Sequence, residues 1–211
     1  MPAVQPAEVV PDSKRQGARP RLLLIAPPNS YRTVAYVESA RRQGVDVLVA
    51  SEGRFSLVSE VAGGLHVDLS DPMALDVLLA ENRQRPFSGV VATDDSTVEL
   101  GSRVAQSLGL PHNPPSAARL SQRKDLSRQA LAAAAVPVPG FRVIDLAAPV
   151  EAQLAGVVFP CVVKPLALSA SRGVIRADTP AGLLAACARV QAILAAEPAA
   201  DARVNSRLLL E

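Results

Sequence analysis

Two lysines and a run of small hydroxyl residues could do chemistry in this chain. Lys164 closes the run Phe159-Pro160-Cys161-Val162-Val163-Lys164-Pro165. Directly after it stand Leu166-Ala167-Leu168-Ser169-Ala170-Ser171-Arg172-Gly173-Val174. A valine-rich apolar run bounded by prolines predicts a buried strand, which delivers its lysine to the mouth of a pocket. A point charge facing a loop of serine hydroxyls and backbone N–H groups is the donor set a polyphosphate requires. Lys124, in Arg123-Lys124-Asp125, falls in the first turn of a helix predicted over 122–134. A cation there opposes the helix dipole, which argues for a functional reason. A triphosphate site is the first expectation. The plainer readings are that Lys164 snorkels to solvent and that Lys124 and Arg172 are solvated surface charges.

The elements that must position these residues alternate regularly at first. Strands are predicted over 21–26, 46–50, 65–69 and 88–93. Between the first two lies a helix over 31–43, stopped at Gly44. Ser70-Asp71-Pro72 is expected to cap the next helix with proline at its first position. Ser96 and Glu99 have the spacing of a capping box, and Gly109 ends that helix. Strand–helix alternation predicts a parallel α/β layer fold. No GxGxxG follows the first strand and no GxxxxGK[ST] occurs, so neither a dinucleotide fingerprint nor a P-loop is present. That places the weight on Lys164.

His112-Asn113-Pro114-Pro115-Ser116 reads as a break between domains. Beyond it come a strand over 141–144, a short helix near Pro149 and a strand pair around the serine loop, its second member starting at Gly173. Thr179-Pro180 is expected to cap an alanine-rich helix ending near Ala196, and 207–211 to form a strand without a partner.

Apolar residues make up 49% of the 211 and charged residues 20%, which suits a packed core. With 3% aromatics and no tryptophan, that core must be built from Leu, Val, Ile and Ala. A net charge of +2 with singly scattered arginines argues against nucleic acid. The most apolar stretch, about 181–196, contains Arg189 and Gln191 and is shorter than a bilayer span. Cys161 and Cys187 lack CxxC or metal-like spacing and are expected to be buried free thiols. Residues 1–20 hold four prolines and no apolar h-region, so a disordered leader on a cytoplasmic protein is expected. Asp94, Asp95 and Glu99 follow the fourth strand, where α/β proteins bind ligands. They could meet an amine substrate, and the plainer reading is that they cap the next helix. His66 and His112 have no partner at ligand spacing.

Taken together, Arg123-Lys124-Asp125, Val136-Pro137-Val138-Pro139, the Lys164 strand, the Ser169–Val174 loop and the terminal Leu208-Leu209-Leu210-Glu211 resemble the ATP-grasp superfamily in order and spacing. The serine loop with Arg-Gly-Val is most similar to the carboxylate–amine ligases, such as L-amino-acid ligases and phosphoribosylglycinamide synthetase-like proteins. The resemblance implies an α/β protein. Residues 21–113 would be a Rossmann-like pre-ATP-grasp domain, and 114–211 the first ATP-grasp α+β subdomain, incomplete. It implies ATP and Mg2+ as cofactors, with small-molecule carboxylate and amine substrates joined through an acyl phosphate. No nucleic acid or membrane partner is implied, and a homo-oligomer is compatible. Lys124 and Lys164 would contact the phosphates. Ser169, Ser171, Arg172 and Gly173 would form a loop closing over them, with Ala170 where relatives often have a second glycine. Glu211 would begin a hinge that reads adenine through its backbone. No catalytic residue is assignable in this portion and the magnesium-binding residues are expected beyond Glu211, which would leave it inactive alone. The alternatives are a biotin-carboxylase-like protein, a non-catalytic nucleotide-binding or interaction module, and a plain α/β domain in which Lys164 meets no phosphate.

Overall fold

The computed structural model describes residues 19–52, 63–197 and 202–211. The leader expected over 1–20 lies outside them, except for Arg19 and Pro20. The chain divides into two compact units. The first holds the residues up to Asp94 together with Ser107–Pro111, the second Asp95–Gln106 and His112–Glu211.

The first unit contains β1 (Arg21–Ile25), α1 (Thr33–Arg42), β2 (Asp46–Ser51), β3 (Gly63–His66), α2 (Ala74–Gln84) and β4 (Gly89–Ala92). All the pairings are parallel, in the order β3-β2-β1-β4. Leu23, Leu24 and Ile25 are buried in succession along β1, as a strand covered on both faces requires. Gly44, at φ +69°, adopts the left-handed conformation that stops α1.

Three local readings are corrected. The third strand lies earlier than expected, at Gly63–His66, although the Val67 N–H still donates to the Ser51 carbonyl at 3.0 Å. Pro72 does not open α2. Asp68 Oδ1 accepts from the Ser70 amide and Asp71 Oδ1 from the Met73 amide. These side-chain turns compete with the helix, which begins at Ala74. The Ser96–Glu99 capping box does not form either. Ser96 lies within a 3-10 turn, Asp95–Thr97, ahead of α3 (Val98–Ser107), and Glu99 pairs instead with Arg119 at 2.7 Å.

The second unit adds α4 (Pro115–Gln122), α5 (Lys124–Ala133), β5 (Arg142–Asp145), a 3-10 turn at Glu151–Gln153, β6 (Cys161–Pro165), β7 (Ile175–Ala177), α6 (Pro180–Ala195), α7 (Ala202–Asn205) and β8 (Arg207–Leu210). The helix α4 stands where the sequence suggested only a break. Pro115 is a helix starter rather than a breaker, since the first helical N–H needs no partner. The strands form an antiparallel sheet in the order β5-β8-β6-β7. The strand expected to lack a partner, β8, is therefore a central one, paired on both edges. One face is sealed by α6, whose Leu183, Ala186, Cys187, Val190 and Leu194 recur at helical spacing. They pack with Ile144, Val163, Leu208 and Leu210. Cys161 and Cys187 are free thiols in this core, and burial raises both.

Among the described residues no helix is long and apolar enough to cross a membrane. Thr179 caps α6 as expected, its Oγ1 accepting from the Gly182 amide at 3.1 Å. Thr179→Ala should cost about 1 kcal/mol and lower the melting midpoint by about 2–4 °C in a thermal scan followed by circular dichroism.

Candidate functional site

Strict alternation along β6 builds the site. Cys161, Val163 and Pro165 are buried, leaving Val162 and Lys164 on the opposite face. The register sets Lys164 against Leu209. Two residues further along the pair, Glu211 exchanges both backbone hydrogen bonds with Val162, at 3.0 and 2.6 Å. Glu211 thus shares a face with Lys164, and its carboxylate Oε2 accepts from the Lys164 ammonium. The other oxygen, Oε1, accepts from Arg128 Nε at 2.6 Å. The Glu211 N–H and C=O expected to begin an adenine-reading hinge are both engaged by Val162 here.

Helix α5 supplies the second wall. The residue expected in its first turn, Arg123, precedes the helix in extended conformation and chelates the buried Asp125 through two hydrogen bonds of 2.9 and 2.7 Å. Lys124 begins the helix. Its amide donates to the Leu166 carbonyl at 3.0 Å and its ammonium to the Leu168 carbonyl at 2.6 Å. The start of α5 is thereby fixed to the segment leaving β6. Arg128 lies four residues on from Lys124, one turn along the same face. Sequence reasoning passed over it, although the spacing from Lys124 was the signal available.

The electrostatics follow from this packing. Burial pushes the Lys124 ammonium below its ordinary value, and the charge of Lys164 pushes it the same way against Asp95 and Glu211. Burial alone would raise the Glu211 carboxyl, but the hydrogen bonds and charges of Lys164 and Arg128 outweigh it and hold the group below its ordinary value.

The serine loop runs on from Leu168. Ala170 (φ 53°), Ser171 (φ 57°) and Gly173 (φ 70°) are left-handed. Two tight turns result, with the Arg172 amide donating to the Ser169 carbonyl and the Val174 amide to the Ser171 carbonyl, both at 3.2 Å. These turns delay β7 to Ile175, two residues after the start expected at Gly173. A Cβ on Gly173 would stand 2.7 Å from Cγ of Pro165, so close approach as well as backbone conformation demands glycine there. Ser169, Ser171 and Arg172 are exposed. The structure brings Lys124, Lys164 and Glu211 together at the base of this loop, while the Arg172 side chain pairs with Glu197 instead. The arrangement offers a multiply charged anion two ammonium groups and, beside them, serine hydroxyls on a tightly turned loop.

In the first unit, the Asp94 carboxylate accepts from Ser30 and Thr93, both at 2.5 Å, and pairs with Arg32 at 3.2 Å. These contacts hold it below its ordinary value against the opposing effect of burial. Among the described residues no group of three or more His, Cys, Asp or Glu could hold a metal ion.

Residues 37–112 match the family described as the ATP-grasp N-terminal domain. The chain resembles the ATP-grasp ligases. It is 31% identical over 156 residues to a formate-dependent phosphoribosylglycinamide formyltransferase of Stenotrophomonas maltophilia, a match covering 72% of this chain and 38% of that protein. Among solved structures, the L-amino acid ligase from Bacillus licheniformis superposes with a TM-score of 0.66 at 22% identity, over 92% of this chain and 44% of that one. An ADP complex of N5-carboxyaminoimidazole ribonucleotide synthetase gives a TM-score of 0.67 at 14% identity, over 92% and 47%. The chain thus spans less than half the length of these ATP-grasp relatives, and at these identities the solved structures show the shared fold.

Gly173→Ala should cost more than the roughly 1–2 kcal/mol of a left-handed alanine, because the methyl also meets Pro165. Ala170→Gly trades relief of that strain against chain entropy and should come out near neutral. Urea unfolding of the two variants checks the contrast.

Proposed function

We propose that this chain supplies the phosphate-binding side of an ATP-dependent ligase that joins a carboxylate to an amine. The observation that carries this reading is the convergence of Lys124 and Lys164, from separate elements, at the base of the serine loop. Two ammonium groups drawn together raise each other's energy, and a polyphosphate is the partner that relieves both. The resemblance to the ATP-grasp ligases, one of them a complex with ADP, supports the same reading.

In the proposed reaction the substrate carboxylate takes the terminal phosphoryl group of ATP, giving ADP and an acyl phosphate. An amine then attacks the acyl carbon and inorganic phosphate leaves with the bonding electron pair. Such chemistry needs positioning and charge neutralisation rather than a nucleophilic side chain. Lys124 and Lys164 would hold phosphate oxygens, and the Ser169 and Ser171 hydroxyls would donate to them from the loop. Mg2+, where bound, supplies further neutralisation of the phosphates. The described residues gather no His, Cys, Asp or Glu set that would hold it.

Calorimetric titration with MgADP tests the reading. Binding is expected, and Lys164→Met should weaken it at least about tenfold, or about 1.4 kcal/mol; equal affinities would contradict it. The titration of Lys124 adds a signed prediction. In the free chain its ammonium sheds its proton at lower pH than an ordinary lysine, and a phosphate oxygen beside it favours the charged form. Binding near pH 9, approaching the ordinary lysine range, should therefore take up protons. The observed heat will vary with the buffer's ionisation enthalpy, and that dependence should vanish in Lys124→Met.

A further inference from the structure

The Glu211 carboxylate bonds two cations in the site, Lys164 and Arg128. Its side chain is 8% exposed, against 21% for Lys164 and 27% for Arg128. A carboxylate buried to that degree must stay paired, because an uncompensated buried charge is strongly unfavourable. Lys164 provides one half of that pairing through Oε2. If Lys164 is to bond a nucleotide phosphate, it must loosen its hold on Glu211. With Lys164 as sole partner, every binding event would strand a negative charge in the site and set it against the incoming phosphates.

Arg128 removes that difficulty. Its Nε donates to Oε1, the oxygen that Lys164 leaves free. It comes from α5, whose first residue is fixed to the Leu166 and Leu168 carbonyls, so its position does not depend on the serine loop. The charged groups that act on Glu211 are Lys164 from β6 and Arg128 from α5, and Lys124 lies near enough to feel its charge. We infer that Arg128 is a positioning residue of the nucleotide site: it keeps the Glu211 carboxylate compensated while Lys164 exchanges that partner for a phosphate oxygen. This rests on the nucleotide reading given above and adds to it a residue outside the set implied by the sequence.

The role differs from a simple brace because it depends wholly on the carboxylate. In Arg128→Gln, Lys164 becomes the only cation bonded to Glu211 and should stay with it, weakening MgADP binding about tenfold, or about 1.4 kcal/mol. Three further results are expected. The double variant Arg128→Gln/Glu211→Gln binds MgADP more tightly than Arg128→Gln alone. Arg128→Lys, which keeps a cation, stays within about threefold of the unmodified chain, a shift of under about 1 kcal/mol. Relative to the unmodified chain, the affinity of Arg128→Gln recovers as pH falls from about 8 to about 5, towards the ordinary glutamate range, because a buried Glu211 carboxylate that has lost Lys164 to the phosphates takes up a proton in the bound state.

Calorimetry with MgADP on the 211-residue chain measures all four proteins, with circular dichroism confirming that each is folded. An Arg128→Gln affinity equal to that of the unmodified chain overturns the inference, and so does a loss that Glu211→Gln does not recover. If Arg128→Gln fails to fold, the comparison moves to the Glu211→Gln background, where no carboxylate is stranded. There the arginine substitution should cost less than about twofold, and a larger loss overturns the proposal. Absence of MgADP binding by the unmodified chain overturns the nucleotide reading and this inference with it. Binding that is indifferent to Arg128 overturns this inference alone.

Discussion

The bridge from Lys164 through the Glu211 carboxylate to Arg128 ties together the parts of the second unit that matter for chemistry. It joins β6, the residue after β8, and α5, three segments far apart in sequence. It forms only because the β6–β8 register pairs Val162 with Glu211 and so sets Lys164 and Glu211 on one face. A shift of that register by one residue would send Lys164 into the apolar layer under α6. The core on one face and the charged site on the other are thus two consequences of one strand pairing.

The charge balance of this face says what it is suited to receive. Three cations, Lys124, Lys164 and Arg128, gather about the Glu211 carboxylate, with Asp95 near Lys124, and the Lys124 ammonium is held below its ordinary value by burial and by Lys164. Part of the mutual repulsion is relieved by Glu211 and part by the Leu168 carbonyl, which takes the Lys124 ammonium. An excess of partly buried positive charge adds nothing to stability by itself. It becomes useful when a multiply charged anion arrives, and the serine loop opening from Leu168 lies where that anion would need directional donors. The left-handed Ala170, Ser171 and Gly173 form the tight path that brings the loop back to β7, and Gly173 is pinned there by the Pro165 ring.

Much of this was legible in the sequence because it depends on short-range rules. The proline-bounded valine run marked β6 and put Lys164 at its end, and Thr179-Pro180 marked the start of α6. Three of the four parallel strands of the first unit, β1, β2 and β4, announced themselves as apolar runs, whereas β3, Gly63–His66, carries no such signal. The errors arose where a local signal had two physical meanings. Pro115 read as a break but starts α4, while Pro72 read as a helix start but lies in a turn closed by Asp68 and Asp71. Glu99 has capping-box spacing, yet Arg119, twenty residues on, claims its carboxylate. Long-range pairing was the part that local pattern could not supply. Nothing near residues 207–211 says that β8 is central, and without that fact Glu211 and Arg128 do not become neighbours of Lys164.

The central claim is that a nucleotide's phosphates lie between Lys124, Lys164 and the serine loop. Mapping backbone amide shifts by 1H–15N NMR during titration with MgADP tests it most directly. The account predicts the largest changes at Lys124, at Lys164 and across 168–174, with residues 27–32 and 93–94 of the first unit left unchanged. Changes confined to that first-unit edge, or no changes at saturating nucleotide, would contradict it.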